Sequence, residues 1–135
     1  MKNRSLTKDY VSRAGIRFAA LQVLLDKGGY ADVVREAQEI VELLSKALIR
    51  HLGAEPARVH DVSAQLRELG SRLPSELQQN LEALIDNSRE LRRDRELAFY
   101  GTEDLTPSEF YSKKDADRAF RYARSALTFV EQVVV

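Results

Sequence analysis

The chain has 135 residues, 44% of them hydrophobic, and its 21 basic and 21 acidic side chains leave no net charge. That length fits one domain with one modest core, here 1–135, and neutrality excludes a global pull toward nucleic acid or membrane. The absence of cysteine excludes disulfides and thiolate metal sites.

Charges at Lys8, Asp9, Arg13 and Arg17 break any apolar run near the start, which argues against a secretory signal. No window approaches the roughly 20 apolar residues of a membrane span. The expectation is a cytoplasmic protein that does not enter a membrane.

The first predicted helix runs from about Thr7 to Asp26, with Val11, Ala14, Phe18, Leu21 and Leu25 on one face at spacings of three and four. Gly28 and Gly29 stop it, because glycine takes the left-handed cap conformation cheaply. The second spans about Ala31 to Leu52, carries Val34, Ala37, Val41, Leu44 and Leu48, and ends at Gly53. A turn around Pro56 follows. The third starts near Asp61, a good N-cap, and carries Val62, Leu66 and Leu69 before Gly70. Pro74 and Ser75 open the fourth, with Gln78 placed for a capping box. Its face is Leu77, Leu81, Leu84, Ile85 and Leu91, and it persists to about Phe99 or Tyr100. A loop from Thr102 to Tyr111 has room for one turn at Thr106–Glu109. Ser112 and Asp115 form another capping-box pattern, and the last helix runs through Ala116, Ala119, Ala123, Leu127, Val130 and Val134. No alternating run suggests a strand. Long helices with short connections predict an all-α, up-and-down antiparallel bundle of four long helices plus one shorter helix.

The fourth helix carries an anomaly. At 100° per residue, Ser88, Arg92, Arg95 and Phe99 fall within about 40° of Leu81, the centre of the apolar face. Arginine cannot shed its charge, so an unpaired guanidinium there is costly. Either the helix leaves the core after Leu91, or the arginines pair with acids, or they line a cleft whose planar forks suit anionic oxygens. His60, at the start of the third helix, reads as a packing or capping residue, or as a cleft residue facing Arg92 or Arg95 and titrating near neutrality. Gln38, Glu42 and Ser45 form a polar stripe beside the core face of the second helix. Glu42 there is a candidate partner for Arg92 or Arg95, and also an ordinary i,i+4 partner of Lys46. Arg118, Arg121 and Arg124 form a stripe that reads first as a solvated face. No zinc spacing, phosphate loop or nucleophile elbow is present, so no metal and no cofactor are expected.

Tyr30-Ala31, Ala37-Gln38, Glu42, Lys46-Ala47-Leu48, Gly53 and His60 together resemble the HEPN domain, a small all-α family. The likeness covers about Thr7 to Val134. It implies a helical bundle that is often a homodimer and is often encoded beside a minimal nucleotidyltransferase, some such pairs acting as toxin and antitoxin. Active members carry an arginine, four to six residues and a histidine near the end of the fourth helix, a ribonuclease site. A toxin-type subset extends this to arginine, four residues, histidine, one residue, tyrosine. Aligning Tyr100 with that tyrosine puts Arg93 at the arginine and Ala98 at the histidine, and no histidine follows in the chain. Arg95 to Tyr100 fits another family form, an arginine, four residues and an aromatic. The histidine that the resemblance implies as general acid and base is thus missing, which leaves enzymatic activity open.

The resemblance implies an RNA- or nucleotide-associated subunit of a nucleotidyltransferase/HEPN pair with a degenerate ribonuclease motif. Its candidate cleft residues are Arg92, Arg95, Tyr100 and His60, supported by Gln38, Glu42 and Ser88. The alternative is a non-catalytic helical protein-interaction module whose inner arginines are structural.

Overall fold

Two glycines turn the first corners of the bundle. Helix α1 (Lys2–Asp26) ends where Gly28 takes φ +77°, and α2 (Tyr30–His51) ends before Gly53 at φ +92°. Both ends carry the same pair of closing bonds. Gly28 N–H reaches the Leu25 carbonyl at 3.0 Å and Gly29 N–H the Leu24 carbonyl at 2.9 Å. Gly53 N–H reaches Arg50 at 3.0 Å and Ala54 N–H reaches Ile49 at 3.2 Å. A residue with a Cβ is strained at that φ, so the glycines make these caps inexpensive. The three-residue link between α1 and α2 leaves an antiparallel hairpin as their only packed arrangement.

The computed structural model describes the backbone of residues 2–100 and 105–134, and the side chains of residues 4–93 and 105–134. Beyond the hairpin come α3 (Ser63–Leu69), 3₁₀ turns at Gly70–Arg72 and Ser75–Leu77, α4 (Gln78–Tyr100), α5 (Pro107–Phe110) and α6 (Lys113–Val134). The described residues contain no strand element. The fold is all-α, with the four long helices and the shorter α3 that the periodicity predicts, and the four-residue α5 at the expected turn.

Helix α2 is the axis of the bundle, packing against α1, α6 and α4. Its buried set is therefore wider than the predicted stripe and includes Val33, Ile40, Ala47 and Ile49 as well as Val34, Val41, Leu44 and Leu48. A helix covered on three sides needs apolar residues on three sides. The facing surface of α6 is small, with Ala116, Ala119, Ala123 and Ala126 buried. Phe18 and Phe120 meet with ring centroids 4.8 Å apart, tying α1 to α6.

Two readings are corrected. Gln78 makes no capping box with Ser75. Its Nε2 donates instead to the Gly70 carbonyl at 2.7 Å, which also accepts the Leu73 N–H, and to the Leu73 carbonyl at 3.2 Å, bridging the turn between α3 and α4. Helix α3 starts at Ser63, two residues later than expected, although Asp61 still caps it by accepting the Ser63 N–H at 3.0 Å. By contrast, the Ser112 and Asp115 pattern forms as predicted. Ser112 N–H donates to the Asp115 carboxylate at 2.9 Å, and Asp115 N–H donates to Ser112 Oγ at 3.3 Å.

Candidate functional site

The loop after Gly53 positions the site. Pro56 is buried, and the Gln65 side chain holds the loop from both ends. Gln65 Oε1 accepts the Ala57 N–H at 2.9 Å, while its Nε2 donates to the Glu55 carbonyl at 2.7 Å. The chain then reaches His60 and Asp61, opposite Glu42 on α2 and Arg92 on α4.

His60 Nδ1 lies 2.7 Å from Glu42 Oε1. The imidazole is 76% exposed and the glutamate side chain only 13%. The carboxylate accepts from Nδ1–H, which leaves Nε2 on the solvent side of the ring. Asp61 takes Arg92 Nη2 at 3.0 Å on one oxygen and the Ser63 N–H at 3.0 Å on the other. Hydrogen bonds from the Ser63 backbone and hydroxyl hold its carboxyl below the ordinary 3.8; burial opposes them, and the charges of Arg92 and Arg89 add to them. The Arg92 side chain is 21% exposed, and its Nη1 is buried without a hydrogen-bond partner among the described residues.

The structure thus joins four residues in two adjacent pairs, His60 with Glu42 and Asp61 with Arg92. Arg92 takes Asp61 and not Glu42, which meets His60; the other expected partner of Glu42, Arg95, has its side chain outside the described residues. Nor is His60 a packed residue, since its ring stands in solvent. Gln38 is buried one turn before Glu42, and Ser88 is half-buried one turn before Arg92. Ser45 leaves the polar stripe, because its hydroxyl donates to the Val41 carbonyl at 2.8 Å within its own helix. Arg95 and Tyr100 belong to α4 by backbone, and their side chains lie outside the described residues.

Sequence reasoning missed Asp61 as a site residue. Its signal was present, an acid beside the loop histidine, but it read fully as a cap. The α6 stripe is partly neutralised: Arg118 meets Glu90 at 3.5 Å and Asp115 at 3.4 Å, and Arg124 lies over the Phe120 ring. Among the described residues no group of three or more histidine, aspartate or glutamate side chains could hold a metal ion. No helix there is long and apolar enough to cross a membrane.

A bundle organised on a central α2, with a histidine loop laid across α2 and α4, defines a class of small helical domains. The chain belongs to the HEPN domain family, whose family model matches residues 7–133. No curated protein and no solved structure matches it.

Proposed function

We propose that this HEPN domain is an RNA- or nucleotide-associated subunit of a nucleotidyltransferase/HEPN pair of the toxin–antitoxin kind, acting as a homodimer. The carrying observation is the family match across residues 7–133. The cluster adds support, since Arg92 brings a fixed positive charge, its side chain 21% exposed, next to the loop that carries the exposed ring of His60. Planar guanidinium donors suit phosphate oxygens. The chain's two histidines are His51 and His60, so none follows the α4 arginines, and the ribonuclease motif is degenerate. The site therefore binds better than it cleaves.

One observation favours a second reading, a non-catalytic interaction module. Arg92 is already paired with Asp61, as a purely structural arginine would be.

The test is the binding of a labelled short RNA to the wild type, to Arg92→Ala and to Arg95→Ala/Tyr100→Phe. Weak, salt-sensitive binding that both variants lose while remaining folded is expected. Equal binding by all three proteins rejects the site and favours the interaction module. Cleavage that survives both changes rejects the degenerate motif.

A further inference from the structure

A polar pocket lies beside the histidine loop, and the function proposed above makes no use of it. It has a volume of about 230 Å³ and is lined by Tyr10 of α1, Lys46 and Arg50 of α2, and Glu55, Pro56, Ala57 and Arg58 of the loop. We propose that this pocket binds a phosphate group carrying two or more negative charges, as at the end of a nucleotide or of an RNA strand.

The first argument is charge. Three cations and a single carboxylate line the space. In a concave wall such an excess is focused on whatever occupies it. A dianion matches the excess, whereas a neutral or singly charged ligand leaves repulsion among the cations.

The second argument is the state of the donors. Lys46 and Arg58 make no hydrogen bond or ion pair among the described residues. Arg50 is only 11% exposed and sits between two neighbours. Its guanidinium lies 5.5 Å from the Tyr10 ring centroid, and its Nη1 and Nη2 donate to Glu55 at 3.3 and 3.0 Å. Its Nε is buried and unpartnered among the described residues. That nitrogen is closed to solvent, so the donors open to an anion in the pocket are those of Lys46 and Arg58.

The third argument is preorganisation. Gln65 clamps the backbone at Glu55 and Ala57, and Pro56 is buried, so the loop wall is fixed before a ligand arrives. Arg50 is likewise held, between an aromatic face and a carboxylate. A fixed wall lowers the ordering cost of binding, which then falls on Lys46 and Arg58 alone. Glu55 is the exception: its exposed carboxylate shares Arg50 with the ligand and repels it.

The pocket shares no residue with the Arg92, Asp61, His60 and Glu42 cluster, so the two sites fail or succeed separately. The probe is pyrophosphate, titrated calorimetrically into the whole chain at low salt. Saturable binding is expected, weakened about tenfold by Lys46→Gln and by Arg58→Ala, each the loss of a charge-assisted contact. Glu55→Gln should tighten binding, since it removes the competing charge. Arg124→Ala, on the outer face of α6, should leave it unchanged. Thermal melts of each variant establish that it is folded. A 5′-phosphorylated RNA tetramer that binds better than its 5′-hydroxyl form identifies an RNA end as the ligand. Equal affinity of the two, with pyrophosphate binding still lost in Arg58→Ala, identifies a free nucleotide or phosphate. Absence of saturable pyrophosphate binding overturns the proposal. So does equal weakening by Arg124→Ala, or a Glu55→Gln variant that binds no better than wild type.

Discussion

Asp61 has two roles, accepting the Ser63 N–H at the start of α3 and pairing with Arg92 of α4. Asp115 does the equivalent at the start of α6, where the Ser112 backbone and hydroxyl hold it below the ordinary 3.8. Both carboxyls are lowered in the folded protein, so the unfolded chain takes up protons first as pH falls. Their contribution is full above the ordinary carboxylate value and is lost as pH falls through the lower folded one. The Asp61→Asn/Asp115→Asn variant should therefore lose less stability than wild type between about pH 5 and about pH 3, measured by urea melts. An unchanged acid slope would show that neither cap senses its proton. At this scale the cap role of Asp61 was legible, because capping is local. Its pairing with Arg92 was not, since that depends on where α4 crosses the loop.

The helices differ in how completely their patterns reveal their packing. Leu81 and Val41 are central on α4 and α2 and are 2% and 1% exposed. Leu81→Ala should destabilise the fold by about 2–4 kcal/mol, and Val41→Ala by slightly less. Asp86, exposed on the outer side of α4, should tolerate alanine within about 0.5 kcal/mol. Leu81 also explains Gly70, where an added Cβ would come within 2.7 Å of Leu81 Cδ2. Gly70→Ala should consequently cost less in the Leu81→Ala background than in the wild type, because the shortened side chain leaves room for the methyl group. Additive effects in a urea double-mutant cycle would remove this account of the glycine. Helix α1 is the element its pattern describes least well. Ala14 and Leu21 are buried as predicted, yet Ile16 and Val23 are 69% and 51% exposed on the opposite side.

For the whole molecule, the proposed homodimer is the open question of assembly. Val134 is buried and Val133 half-buried within the bundle, so the exposed faces lie elsewhere. Among the described residues of the long helices, the large apolar side chains most open to solvent are Ile16 and Val23, two turns apart on α1. Light scattering at micromolar concentration should give about twice the chain mass. A dimer lost in Ile16→Glu/Val23→Glu, with helicity retained, would locate the contact on α1. A monomer in the wild type would end the dimer proposal. The sequence by itself determined the helices, the glycine corners and the all-α class, because period, caps and left-handed turns are local properties of the chain. It also carried the family signature on α2 and the absence of a histidine after Arg92. Tertiary structure alone decided that α2 is wrapped on three sides, and that Glu42 meets His60 while Arg92 meets Asp61. It also decided that Tyr10, Arg50 and Arg58 share one pocket. Residues so far apart in the chain meet only when helices and loop are packed, and no spacing along one helix encodes which neighbour will cover it.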